Sequence, residues 1–497
     1  MAAEESRVEA SPSPSSSVLH VVVFPWLAFG HMIPFLELSK QLARRGHAVT
    51  FVTTPRNAAR LLPAPEEQSA AAGIRVVKLE LPEVEGLPAG AESTADVPPE
   101  KVELLKKAFD GLAAPFADLV AAGGFSFSSR KPDWMILDFA QYWAWPIAEE
   151  HKIASAFLFI LPVSFLVFVG PKHENEAHPR TRAEDFMVPP PWLPPRRSPS
   201  TAIAYRRHEA DWIAAGFLPN TSGVSDVHRV WVSAERCRLV IDRSCPEAEP
   251  GLFPVATDLF AKPVVPAGLL LPADDDDGDS ESADHGGDAD DDEDESGLSS
   301  LRDWLDAQPA RSVLYVAFGS EAPLTPAHVR ELARGLELSG VRFLWALRET
   351  TTGSDMLPDD GFLARVSGRG LVRVGWVPQV RVLAHAATGA FLTHCGWGST
   401  VESLFRFGLP LVMLPFIVDQ GLIARAMAAR GVGVEVARDD GDGSFTGEDV
   451  AAAVRRVMVE EEAFARNAAN LRKVLGDRAT QDSYFEDLVQ NLQRYKF

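Results

Sequence analysis

Two residues in the first third of the chain can move a proton near neutral pH. His31 stands in PWLAFGHMIP, beyond an apolar run, and Asp138 ends another such run, DWMILD. An imidazole can take the proton of an attacking hydroxyl, and a carboxylate on its second ring nitrogen fixes the tautomer and stabilises the imidazolium. A Gly-His pair after a strand is weak evidence alone, because such a histidine often only satisfies a backbone carbonyl. A denser set lies between Trp376 and Gln420. The run AFLT ends at His394, passes through Cys395-Gly396-Trp397-Gly398, and enters a helical pattern at Ser399-Thr400. This reads as strand, glycine-rich turn and helix start, whose first free N–H groups sit at the positive end of the helix dipole and suit a phosphate. His394 and Ser399 flank that point. Glu402, one turn on, can accept two hydrogen bonds from a ribose diol. Trp376, followed by Val377, offers a flat face for a base, and Gln379 a neutral amide. Asp419 and Gln420 follow a second strand-like run and can grip sugar hydroxyls. Together these groups form a cradle for a nucleotide sugar.

The stretch resembles the signature box of plant family-1 UDP-glycosyltransferases, with W-x-P-Q, H-C-G-W-x-S, E and D-Q in order. The resemblance implies that Trp376 stacks on uracil and that Gln379 and Glu402 bind ribose. It also implies that His394 and Ser399 meet the diphosphate and that Asp419 and Gln420 hold the donor sugar. Val377, Trp397, Gly398 and Ser320 of the FGS turn complete the expected UDP-sugar site, and His31 and Asp138 fall in the family's catalytic motifs. An inverting hexosyl transfer follows, with glucose as the expected sugar and with rhamnose, xylose and glucuronic acid as alternatives. The UDP-sugar is a co-substrate; no cofactor or metal is implied. Two departures touch the donor site. Gly398 stands where the family usually has Asn, and the stretch from Glu402 to Gly408 is one residue longer, which an added helical residue or bulge would absorb. The segments LPEVEGLPAGAESTADVP and VIDRSCPEAEP resemble the branch that adds sugar to a sugar already on a flavonoid or terpenoid. Phe139, Tyr142, Trp143, Trp145, Phe165 and Phe168 offer apolar walls for a small lipophilic acceptor, although core packing is the better account of the Phe residues.

These groups need a scaffold, and the apolar pattern supplies one. LHVVVFP, a helix opened by Pro34, and AVTFVTT make a β-α-β unit; SVLYVAFGS, a helix capped at Thr325-Pro326, and VRFLWALR repeat it. Gly30-His31 is expected in the loop before Pro34. Ile153 to Val169 is apolar but short and broken by Pro162, so a buried strand running into a helix fits better than a membrane span. The expected fold is α/β of GT-B type, two Rossmann-like doubly wound parallel sheets facing a cleft. Its expected parts are a disordered tail (1–17), an acceptor-binding domain (18–270), an acidic flexible linker (271–300), a UDP-sugar-binding domain (301–475) and a final helix (476–497) crossing back to the first domain.

Composition limits the partners. The net charge is −21, but residues 274–295 alone hold 14 Asp or Glu and no Lys or Arg. No basic cluster could neutralise a run of nucleic-acid phosphates. Three cysteines give no disulfide framework, and the acidic Ser-Pro start is no signal peptide, so a cytoplasmic location is expected; a monomer is the expected state. A dehydrogenase on the same architecture would need G-x-G-x-x-G after a strand, whereas Gly431-Val432-Gly433 follows a helix and reads as a turn into a strand. The remaining rival is a UDP-sugar-binding protein without catalysis, to which Gly398 lends some support.

Overall fold

The computed structural model describes residues 18–62, 73–126, 130–193, 203–271, 291–319, 322–348 and 361–497, without the side chains of 291–298. The tail, most of the acidic segment and Ser320 lie outside them. Continuous apolar runs become strands buried on both faces. Those of the first half are β1 (His20–Phe24), β2 (Ala48–Thr53), β3 (Ile74–Lys78), β4 (Trp134–Leu137), β5 (Ala154–Phe159), β6 (Leu239–Asp242) and β7 (Val264–Pro266). Among the described residues they form one sheet in the order β3-β2-β1-β4-β5-β6-β7. The second half supplies β8 (Val313–Ala317), β9 (Arg342–Leu347), β10 (Gly370–Val374), β11 (Thr388–Thr393), β12 (Leu411–Met413) and β13 (Gly433–Glu435). These pair in the order β10-β9-β8-β11-β12-β13.

Every ladder in both sheets is parallel. In each sheet the chain winds outward one way from its first strand and then returns to wind the other way. The reversal leaves a crevice beyond the strand ends between β1 and β4, and another between β8 and β11.

The helix after β1 differs from the expectation. It runs from Phe29 to Arg44 with Pro34 inside it, so His31 belongs to its first turn and not to a preceding loop. The carbonyl of Ala28 accepts from the N–H groups of both His31 (2.9 Å) and Met32 (2.8 Å), which starts the helix early. Pro34 removes a single bond near the N-terminus, where the ladder has barely begun.

The expected strand and helix do appear at Ala154–Phe159 and Val163–Val169, with Pro162 at the N-cap. Thr325 caps the helix Pro326–Ser339 by accepting from the His328 N–H. A helix at Asp291–Asp306 begins inside the segment read as linker, anchored at its C-terminal end by buried Leu301 and Leu305.

The last helix, Arg478–Tyr495, returns to the first half. Phe485, Leu488, Val489 and Leu492 sit in the core on one face of the first sheet, and the Trp134 indole donates to the Leu492 carbonyl at 2.8 Å. The halves also meet beside the strand ends: Arg430 donates to the carbonyls of Glu247 and Ala248, and Arg425 pairs with Glu209 at 3.0 Å. No helix among the described residues is long and apolar enough to cross a membrane. Cys237, Cys245 and Cys395 are buried thiols.

Candidate active site

The crevice between β1 and β4 holds His31 and Asp138. The helix turn after β1 presents the imidazole, and Asp138 is the residue next after β4. His31 Nδ1 lies 2.8 Å from Asp138 Oδ2. The carboxylate is fixed from the other side, since Oδ2 also accepts from the Trp26 N–H (3.0 Å) and Oδ1 from the Phe139 N–H (2.7 Å). A carboxylate only accepts, so Nδ1 carries the proton and Nε2 is left with the lone pair. The Asp138 side chain is 2% exposed and that of His31 18%, so the imidazole opens outward while its partner does not. The Phe139 ring stands 5.6 Å from the imidazole, centroid to centroid. Of the other aromatics expected around an acceptor, Trp145, Phe165 and Phe168 are core, and Tyr142 and Trp143 are partly exposed.

The second crevice, between β8 and β11, is built by His394, which directly follows β11. Its ring packs against Gly319, the second residue past β8. A Cβ on Gly319 would lie 2.9 Å from His394 Cε1, and one on Gly396 would lie 2.6 Å from Nε2, so only glycine fits at either place. Cys395 takes a positive φ of 65°, a costly conformation for a side-chain residue, and turns the chain sharply into the helix. Burial lowers the His394 pKa to about 4, which keeps the imidazole neutral at physiological pH. Among the described residues its Nδ1 has no hydrogen-bond partner.

The helix Trp397–Thr400 continues into a π-helical turn, Val401–Arg406. That wider turn takes up one residue more than an α-turn, as the longer stretch before Gly408 requires. Glu402 lies on it and accepts from the Gln379 amide at 2.7 Å, which unites the two residues expected at the ribose. Burial raises the Glu402 pKa, opposed by the Gln379 hydrogen bond and by the charges of Arg243 and Arg406. Trp376 is partly exposed and Val377 buried in the turn before the helix Gln379–Ala384. Asp419 and Gln420 are both nearly buried at the start of the helix Gln420–Ala429. The Gln420 side-chain oxygen accepts from the N–H groups of Phe416 (2.9 Å) and Ile417 (3.0 Å), which leaves its NH2 for a ligand. Val418 before them has a φ of 54°, an outlier for a β-branched residue.

Trp397 sits differently from its expected role. Its indole is 3% exposed and donates to the Arg243 carbonyl at 2.7 Å, so the side chain joins the two halves and only its backbone remains for a phosphate. Gly398 and Ser399 lie beside it, partly exposed. Ser320 lies outside the described residues. Sequence reasoning missed Gly319, Trp26 and Arg243. All three follow strands at their C-terminal ends, and that position was the available signal.

The family model described as UDP-glucoronosyl and UDP-glucosyl transferase matches residues 286–482. UDP-glycosyltransferase 91B1 of Arabidopsis thaliana is 40% identical over 495 residues, covering 97% of this chain and 98% of that protein. The soyasaponin III rhamnosyltransferase of Glycine max is 36% identical, covering 96% of each. The crystal structure of Glycyrrhiza uralensis UGT73P12 complexed with glycyrrhetinic acid 3-O-monoglucuronide superposes with a TM-score of 0.76 over 96% of each chain at 23% identity, which places the fold in the GT-B class. With identity of this order sustained over nearly its whole length, the chain belongs to the plant UDP-glycosyltransferase family and is a glycosyltransferase.

Proposed function

We propose that the enzyme moves glucose from UDP-glucose, with inversion, to a hydroxyl of a small lipophilic plant metabolite or of its glycoside. The observation that carries this reading is the 2.8 Å contact of His31 with Asp138 at the reversal point of the first sheet. The acceptor O–H gives its proton to His31 Nε2 as the oxygen attacks the anomeric carbon from the face opposite UDP. The bond from that carbon to the phosphate oxygen breaks, and its electron pair leaves with UDP. Asp138 holds the ring and stabilises the imidazolium as it forms. The N–H groups at the start of the Trp397 helix, with Ser399 and His394, take the charge developing on the diphosphate. Gln379 and Glu402 hold the ribose, Trp376 the uracil, and Asp419 with the Gln420 amide the sugar. The reading calls for no metal.

UDP-rhamnose is the second donor reading, because a relative 36% identical to this chain is a rhamnosyltransferase. That relative's named acceptor, soyasaponin III, also supports a glycoside acceptor, as do the segments around Leu81–Pro98 and Val240–Pro250. The test is incubation with UDP-glucose, UDP-rhamnose, UDP-xylose and UDP-glucuronate in parallel, each with aglycone and glycoside acceptors. Products are identified by mass spectrometry and their anomeric configuration by NMR. A hexosylated glycoside of inverted configuration is expected. UDP binding without transfer to any acceptor would favour a binding protein instead, and transfer that survives His31→Ala would remove the base assignment.

A further inference from the structure

The diphosphate of a UDP-sugar brings negative charge into a box whose own contacts there, His394, Ser399 and the bare Gly398, carry no positive side chain. A guanidinium stands next to that gap. Arg243 follows β6 directly, at the C-terminal edge of the first sheet, and is 5% exposed. Its backbone is tied on both sides: its N–H donates to the Phe159 carbonyl at 2.9 Å, and its carbonyl accepts from the Trp397 indole. Its Nε donates to the Leu269 carbonyl at 3.2 Å. Among the described residues, its two terminal nitrogens have neither a hydrogen bond nor an ion pair. Nη1 lies 3.6 Å from where a Cβ on Gly398 would sit. Burying a guanidinium with unmet donors is expensive unless an anion completes it. The neighbouring Asp242 carboxyl makes no contact with it, and Glu402 and Glu37 act on it only through their charge.

We propose that Arg243, supplied by the first half of the chain, is a donor-binding residue that grips the UDP diphosphate through the space Gly398 leaves open. The two positions are complementary. A side chain at 398 would grow toward the guanidinium, so the missing Asn makes room for a charged donor from across the cleft. A guanidinium presents paired N–H groups to phosphate oxygens and forms charge-assisted bonds stronger than those of a neutral amide. The proposal rests on the donor reading of the preceding subsection and adds a residue to it.

The test uses the full chain in five forms: wild type, Arg243→Met, Arg243→Lys, Gly398→Asn, and Arg243→Met combined with Gly398→Asn. UDP affinity is measured by calorimetry, uridine affinity by ligand-observed NMR, and folding by thermal melting. Arg243→Met is expected to weaken UDP by about 10- to 100-fold and leave uridine unchanged, the size of a lost charge-assisted hydrogen bond. Arg243→Lys should recover part of the loss. Adding Gly398→Asn to Arg243→Met should tighten UDP again, whereas Gly398→Asn alone should weaken it. The proposal is overturned if Arg243→Met binds UDP within about twofold of wild type. It is also overturned if UDP and uridine weaken equally, the mark of a strut between the halves, or if Gly398→Asn alone tightens UDP. Should Arg243→Met fail to fold, Arg243→Lys and the single Gly398→Asn variant still decide. A wild-type chain that binds no UDP would instead overturn the donor reading itself.

Discussion

Each half of the molecule sets a histidine at the reversal point of its sheet, and the proposed function gives the two histidines opposite tasks. His31 has a carboxylate 2.8 Å from Nδ1 and an outward-facing ring. Among the described residues His394 has no carboxylate on its ring; it is wedged between Gly319 and Gly396 and held neutral by burial, with its pKa lowered to about 4. A base must gain a proton during turnover, so it needs a partner that stabilises its cation. A residue facing a leaving diphosphate need only keep its place. The difference teaches that role follows from the surroundings, because residue type and topological position are shared.

The sharpest way to break the comparison is to remove the base. His31→Ala is expected to lower kcat by about 10²- to 10⁴-fold, the usual worth of a general base, with the Kd of UDP unchanged. If kcat stays within about tenfold, the two histidines do not differ in the way described. Asp138→Asn comes next. The amide can donate to Nδ1 and so favours the tautomer with its proton on Nε2, which cannot act as a base; kcat should fall by about 10²- to 10³-fold while calorimetry shows unaltered UDP binding.

Much of this contrast was legible in the sequence. The strands that carry the pair and the box end in HVVVF, WMIL and TGAFLT, continuous apolar runs that only a doubly covered parallel sheet buries. The box residues stood in register in the chain, so their grouping needed only one strand, one turn and one helix. What stayed hidden depended on contacts between distant segments. Pro34 was read as a helix start because the local rule prefers it there, yet the Ala28 carbonyl began the helix earlier. Trp397 falls in the expected UDP-sugar site because it lies in the box. Its indole instead reaches a carbonyl 154 residues away, a partner no local pattern could indicate. Arg243 was hidden for the same reason, since its place beside Gly398 depends on a contact between the two halves.

The glycine wedge gives a gentler way to sharpen the comparison. Gly319→Ala places a methyl 2.9 Å from His394 Cε1 at a backbone φ of 66°, so the imidazole must shift. The expected outcome is a donor KM raised about tenfold with kcat within about threefold, because the base and its partner lie in the other half. Steady-state kinetics with varied UDP-sugar decides it. An equal fall in kcat and kcat/KM would mean that His394 acts chiefly in the transition state.

The smallest effect isolates protonation. Burial holds the folded-state pKa of His394 at about 4, below its ordinary value of 6.5. As pH falls between those values the unfolded chain takes up a proton here that the folded chain does not, so protons favour unfolding over that window. The stability tied to this site is therefore intact above pH 6.5, declines as pH falls toward 4, and declines no further below it. Replacing His394 with Gln removes the titrating group while keeping a polar side chain. Between pH 6.5 and 4.5 the melting temperature of the variant should drop by about 2–4 °C less than that of wild type, as differential scanning fluorimetry would measure. Parallel melting curves for the two proteins would show that His394 is not held neutral by burial, and the contrast between the two histidines would then rest on geometry alone.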